Sequence, residues 1–405
     1  MNFLHFTIDP VIAEAAVKSL AMGFAKPIAE SGINILGKAG GTILGKAGKL
    51  TEAAQNLLFS ISRKYIESYT ERHGILKVLG MDKPVSLDSV YTQVNCQSET
   101  IRLYESIEAQ EDAFRNRQFK DNEQPIPGMQ VANENQYLLV LGNPGTGKST
   151  FLRKVGLEAL KGAGVGVGDY QHSYIPVLIE LRKLRSETIN LEFLKEKIAE
   201  EFKHCGLPEY QECTNKFLEQ GKLLIILDGL DEVPTEKMSD ITTAIRNLVD
   251  TYSHNRFIVS CRIAAYHDFH NFQRFTNVAI ADFNDEQIQA FIHKWFESHS
   301  QIEWGQQCWE KLNSRDYAAT KELTKTPLLL TLICILFRKR GEFPNKRATV
   351  YDDALKTLLS EWDASKEITR QQSYKGLDTK CKEIMLAEIA HNNFIKNNLF
   401  FNKAK

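Results

Sequence analysis

Along the first 80 residues, apolar side chains recur at helical spacing. Ile12, Ala16, Leu20, Phe24 and Ile28 fall every fourth residue and form one stripe of a helix. Asp9-Pro10 reads as its start, with Asp9 as N-cap and Pro10 at the first helical position. Pro27 and Gly32 are expected to kink or end it. A second helix, about 51–72, places Leu57, Ile61, Tyr65 and Tyr69 on one face. Between them, residues 35–40 (ILGKAG) return as residues 43–48. Gly37, Gly41 and Gly45 lie four apart and would form a smooth groove on a helix. The alternative is a flexible glycine-rich turn, since Lys38 and Lys46 interrupt the apolar run and glycine disfavours helix in water. Residues 81–135 read as a linker: extended chain over 83–87, a charged amphipathic helix around 98–120, and a loop over 121–128. The main domain boundary is placed near 130.

From residue 136 the pattern changes. Short runs that are apolar on both faces alternate with helix-length segments: 137–141, 175–181, 223–227 and 256–260. Strands of this kind predict a parallel sheet buried by helices on both sides. From about 283 onward the pattern is helical, and Pro327 to Phe337 reads as a buried helix. The expected fold is therefore α/β, with a parallel sheet flanked by helices, an N-terminal all-α region and a C-terminal helical region.

Composition narrows the classes. The chain has 405 residues, 50 basic and 51 acidic, for a net charge of −1. At roughly 100–200 residues per domain it holds two or three domains. Its 43% hydrophobic and 25% charged residues exclude a wholly disordered or collagen-like chain. Near-neutral charge argues against a strongly basic nucleic-acid coat, and no direct nucleic-acid motif is visible. Seven cysteines without a CxxC pair read as reduced thiols in a cytoplasmic protein. The N-terminus lacks a secretory pattern, and no apolar stretch approaches a membrane span of about 20 residues.

The strongest chemical signal is Gly142-Asn143-Pro144-Gly145-Thr146-Gly147-Lys148-Ser149, followed by Thr150. It matches G-x-x-x-x-G-K-[ST], after an apolar strand and before a helix. Glycines let backbone N–H groups turn inward around phosphate oxygens, and the helix N-terminus adds partial positive charge. Lys148 is expected to reach the β- and γ-phosphates, and the Ser149 hydroxyl to bind Mg²⁺. About 80 residues further on, the third apolar run ends in Asp228-Gly229-Leu230-Asp231-Glu232. Asp228 fits a Mg²⁺ ligand, and Asp231 and Glu232 are candidates to orient or deprotonate a water. Arg262 follows the fourth run and points towards a γ-phosphate; the alternative is a surface arginine capping a loop. Pro327 alone reads as a proline at the first position of a helix. His204, Cys205 and Cys213 match no metal spacing and read as ordinary helix and loop residues.

Together these segments resemble the NACHT-domain proteins, which are signal-transduction ATPases with numerous domains, and their bacterial members in particular. The phosphate-loop block 139–152 and the block 224–233, with its small residue after the first Asp, carry most of the likeness. Ser260-Cys261-Arg262 resembles the family's sensor arginine, and Thr326-Pro327-Leu328 its proline-led helix, where Pro327 would meet the nucleotide base. Residues 84–91 resemble the linker before many bacterial NACHT modules, and 350–355 with 358–362 the start of a winged helix. The resemblance covers about 80 to 365. It implies an ADP-bound monomer that exchanges to ATP with Mg²⁺, assembles with copies of itself and activates an N-terminal effector, often in antiphage or immune-type defence. Expected bounds are 1–80 for the helical effector or adaptor, 81–135 for the linker, 136–282 for the nucleotide-binding domain, 283–345 for a helical domain and 346–405 for part of a winged helix. The sequence ends before that element is expected to be complete, and no repeat sensor is visible.

Three readings compete. A switch would hydrolyse ATP slowly and oligomerise. A non-switching adaptor would bind nucleotide for stability while its N-terminal helices recruit a partner. A work-producing AAA+ motor lacks a visible arginine finger or pore loop. The N-terminal helices read either as a signalling module or as a membrane-perturbing effector using the glycine groove. No guanine-reading NKxD string is present, and ATP is the family expectation.

Overall fold

The computed structural model describes residues 10–30, 51–77, 84–97, 124–161, 169–184, 188–207, 209–263, 265, 272–344, 347–366 and 379–396. The repeat at 35–48 with Gly37, Gly41 and Gly45, the helix expected at 98–120 and the side chain of Trp362 lie outside the described residues. The chain divides into two compact units. One gathers 1–76, 86–99 and 124–281, and the other 77–85, 100–123 and 282–405.

The first unit is built on a seven-stranded sheet. Its strands are β1 (Asn95–Gln97), β2 (Ile126–Pro127), β3 (Tyr137–Gly142), β4 (Ile175–Glu180), β5 (Leu223–Asp228), β6 (Arg256–Arg262) and β7 (Thr276–Ile280), in the order β2-β1-β7-β3-β6-β5-β4. The last five in that order pair in parallel. The expected parallel sheet is therefore present, and β1 adds an antiparallel edge to it by pairing with both β2 and β7. Strands β1 and β2 fall inside the expected linker at 81–135. That segment contributes an edge of the sheet rather than only a connection. Strand β7 is a further addition to the four runs read from the sequence.

Strands β3, β4, β5 and β6 are buried on both faces along most of their length, as their continuous apolar runs require. Helices α3 (Lys148–Leu160), α4 (Leu191–His204), α5 (Tyr210–Glu219) and α6 (Met238–Thr251) belong to the same unit. In α6 the buried Ile241, Ala244, Ile245, Leu248 and Val249 trace one helical stripe. Asn190 caps α4 by accepting from the Phe193 amide at 2.9 Å.

The N-terminal helices join this core. Helix α1 spans Pro10–Glu30 and continues past Pro27; α2 spans Glu52–His73. Ala16, Leu20, Phe24 and Ile28 are buried, as are Leu58, Ile61, Tyr65 and Tyr69. On α2 the buried position is Leu58; Leu57 is only half-buried. The Phe24 ring sits 5.7 Å from Tyr65 and 5.4 Å from Phe217 of α5. Tyr65 stands 5.6 Å from Phe202 of α4, and its hydroxyl donates to the Pro176 carbonyl of β4 at 2.6 Å. The described part of residues 1–76 thus shares one apolar core with the sheet, and no division falls near 130.

The second unit is helical among its described residues from 285 onward, with α7 (Asp285–Glu297), α8 (Ile302–Leu312), α9 (Pro327–Arg340), α10 (Arg347–Lys366) and α11 (Thr379–Ile395) as its longer helices. Asn284 and Gln287 form a reciprocal capping box at the start of α7. Trp295, Phe296 and Phe337 are buried at its centre, and Gly341 at φ 71° ends α9. Val350 and Ala354 of α10 are buried.

Candidate nucleotide-binding site

The loop between β3 and α3 follows from its glycines. Gly145 and Gly147 adopt φ of 80° and 92°, a region that side chains with Cβ rarely enter. A Cβ on Gly142 would lie 2.7 Å from Thr146 Oγ1. Thr146 in turn donates its hydroxyl to the Asn143 carbonyl at 2.9 Å, which fixes the turn from inside. Helix α3 then opens at Lys148 and directs its first amides towards this loop. Lys148 Nζ donates to the carbonyls of Gly142 and Asn143 at 2.7 and 3.1 Å. Burial lowers the Lys148 pKa, although Asp231 pulls the other way. A lysine held among carbonyls and partly desolvated is suited to receive an anion. Pro144 and Thr150 flank the loop, Pro144 exposed at its tip and Thr150 in the first turn of α3.

The strand pairing brings the remaining groups to the same edge. Gly142 aligns with Arg262 across β3 and β6, and Glu180 aligns with Asp228 across β4 and β5. Four adjacent strands thus end together beside the loop. Asp228 is nearly buried and its Oδ1 accepts from Ser149 Oγ at 3.0 Å and from Ser260 Oγ at 2.6 Å. Ser260 Oγ also accepts the Gly229 amide at 2.8 Å. Gly229, at φ 82°, turns the chain into a short 3₁₀ turn carrying Asp231 and Glu232. The Arg262 amide donates to Asp231 Oδ1 at 2.9 Å, and Arg262 Nε pairs with Oδ2 at 2.9 Å. Glu232 Oε1 lies 3.9 Å from Arg262 Nη2.

At the neighbouring strand end, Glu180 accepts from Arg182 Nε and Nη2 at 3.0 and 2.7 Å, and Lys183 and Arg153 approach within 3.1 and 3.5 Å. Burial raises the Glu180 pKa, but the hydrogen bonds and charges of Arg182 and Lys183 outweigh it and hold it below the ordinary range. The sequence assigned no role in the site to Ser260, Glu180, Arg182 or Arg153. The one available signal for Ser260 is a buried hydroxyl inside an otherwise apolar strand.

A family model describing the NACHT domain matches residues 136–299. The chain carries a NACHT domain. Its core is a nucleotide-binding P-loop NTPase domain, and nucleotide binding in this family ordinarily involves Mg²⁺. No curated protein matches the chain. Among solved structures, the chain is similar to domain III of the Thermotoga maritima replication initiation protein DnaA, at 15% identity over 56% of this chain and 90% of that one, with a TM-score of 0.31. It is also similar to C. elegans PCH-2, at 12% identity over 68% of this chain and 73% of that one, also with a TM-score of 0.31.

The residues of the NACHT domain fit the cofactor. Ser149 and Asp228 present hard oxygen donors side by side, the chemistry Mg²⁺ takes. Among the described residues no group of three or more His, Cys, Asp or Glu side chains could hold a metal ion, so the rest of the Mg²⁺ coordination would come from phosphate oxygens and water. Pro327 lies in the second unit, at the first position of α9. His204 is exposed while Cys205 and Cys213 are buried, and Cys205 accepts from Arg72 Nη2 at 3.1 Å.

Proposed function

We propose that the chain is a nucleotide-dependent signalling switch. The NACHT domain would bind ATP with Mg²⁺, hydrolyse it slowly, assemble with further copies of the chain in the ATP state, and so activate the N-terminal helices in antiphage or immune-type defence. Residues 346–405 would begin a winged helix. A cytoplasmic location fits the free cysteines.

The observation that carries this reading is the Arg262–Asp231–Glu232 cluster beside the phosphate loop. A nucleotide kept only for stability needs the loop, and Ser149 with Asp228 for Mg²⁺. It has no use for a cation and two further carboxylates at the strand ends. Mg²⁺ bound by Ser149 and Asp228 would neutralise phosphate charge. Lys148 would hold the phosphates through its ammonium group. Arg262 would meet the terminal phosphate, and Glu232, half in solvent, would orient a water and take its proton.

The adaptor reading keeps one supporting observation: α1 and α2 are packed into the core of the first unit through Phe24 and Tyr65. Helices fixed in this way can present a surface without being released.

The test is the solution mass of the full chain and of Glu232→Gln with ADP or ATP. A switch stays small with ADP, and Glu232→Gln accumulates an assembled form with ATP. Nucleotide binding without any change of mass in either protein would favour the adaptor.

A further inference from the structure

We propose that Asp231 is a positioning residue that aims the Arg262 guanidinium at the terminal phosphate of a nucleoside triphosphate, leaving Glu232 as the carboxylate that activates water. The inference rests on the reading of this site as one that hydrolyses a nucleoside triphosphate.

The two carboxylates stand in different situations. Asp231 has both oxygens engaged by one residue: Oδ1 by the Arg262 amide and Oδ2 by Arg262 Nε, each at 2.9 Å. Its side chain is 6% exposed, against 47% for Arg262. A general base needs an oxygen that a water can approach. Glu232 offers one: it is 39% exposed, and at 3.9 Å it makes no hydrogen bond to Arg262 Nη2.

Among the described residues the guanidinium is held at hydrogen-bond distance through Nε alone. With Nε on Asp231, the Nη1 and Nη2 edge is the one left to form a planar fork on a phosphate. The backbone supports the same aim. Arg262 aligns with Gly142, the first residue of the phosphate loop, so its side chain departs beside the place where phosphates would sit. Gly229 at φ 82° turns the following acids towards β6. An arginine on a flexible stem would lose rotamer freedom on meeting a phosphate; one already fixed at Nε loses less. Asp231 would thereby help distinguish a triphosphate from a diphosphate without touching either.

The experiment uses the full chain and reads the ratio of affinities for a non-hydrolysable ATP analogue over ADP, by calorimetry, together with single-turnover hydrolysis of ATP. Asp231→Asn keeps an oxygen for the Arg262 amide but removes the charge that holds Nε. The ratio should fall about tenfold, the worth of one charge-assisted hydrogen bond. Arg262→Ala should lower it as much, and the double variant no further. Glu232→Gln should lose turnover and keep the ratio. Loss of turnover in Asp231→Asn with the ratio intact would make Asp231 the base and overturn the proposal. An intact ratio in Arg262→Ala would show that the guanidinium does not meet the terminal phosphate; the proposal then falls while nucleotide binding stands. Failure of the parent chain to bind either nucleotide would overturn the reading of the site itself, and the inference with it.

Discussion

Replacing Ser260 with alanine removes one oxygen that serves two partners. Its hydroxyl is 1% exposed, donates to Asp228 Oδ1 at 2.6 Å and accepts the Gly229 amide at 2.8 Å. Losing the acceptor leaves the Gly229 N–H without that partner, at a cost of about 1–3 kcal/mol. For a domain of this size, a loss of about 2 kcal/mol lowers the melting temperature by about 4–8 °C. The second loss falls on Asp228. Of the two hydroxyls that reach its carboxylate among the described residues, that of Ser149 remains, and Ser149 is itself a candidate Mg²⁺ ligand. A hydrogen bond to a charged group contributes about 1.5–3 kcal/mol, so Mg²⁺-dependent nucleotide binding should weaken about tenfold or more. The assay is displacement of a fluorescent ADP across a Mg²⁺ titration, repeated in chelator. Binding in chelator, which depends on the loop and Lys148, should change little. Ser260→Thr keeps the hydroxyl and should restore the Mg²⁺ dependence. An unchanged Mg²⁺ requirement in Ser260→Ala would refute the claim that Ser260 positions Asp228.

Phe24→Ala should destabilise the first unit by about 3–5 kcal/mol, since the ring is fully buried against Tyr65 and Phe217. The melting transition that ADP raises should move down with it; an ADP-responsive transition that stays in place would mean the N-terminal helices fold separately. Acidification from pH 7 to 5 should also weaken this unit through His73. Burial holds its pKa below 6.5, with Arg72 and Arg153 adding to the effect, while Glu201 at 3.7 Å and too far for a hydrogen bond does not offset it. The folded state therefore takes up its proton later than the unfolded chain, so stability present above pH 6.5 is lost as pH falls through the lowered value. His73→Phe should flatten that part of the pH–stability curve, and an identical slope in the variant would exclude His73 as its source.

The parallel core was legible because burial on both faces writes itself as unbroken apolar runs. The rest of the sheet was not, for reasons visible in the residues. Strand β7 reads Thr-Asn-Val-Ala-Ile, with an exposed Thr276 and a half-buried Asn277, so its apolar run is only three residues long. Strands β1 and β2 have three and two residues and include Asn, Gln and Pro, too short and too polar for any period. Their pairing is decided by partners far along the chain. Pro127 and Pro176 both lie in the edge strands, where a missing N–H costs least. The stripe on α1 was also legible. The sharing of one core by α1, α2 and the sheet was not, because a buried stripe does not name what buries it.

The candidate site divides along the same line. A phosphate loop demands particular residue types at fixed spacing within one turn, so Gly142 to Ser149 announce themselves. Asp228 could be read because it ends a buried strand. Ser260 could not, because its role needs only one hydroxyl at one point in space, with no spacing to mark it. Arg262 and Asp231 were visible as residues but not as partners, 31 positions apart in the chain. What joins them is strand order. Strand β6 lies between β3, which carries the phosphate loop, and β5, which ends in Asp228. A cation at the end of that middle strand is bounded on one side by the loop and on the other by the acidic turn. The same placement that lets Arg262 approach a phosphate also brings it against Asp231. The arginine and the carboxylate that orients it therefore follow from one topological feature.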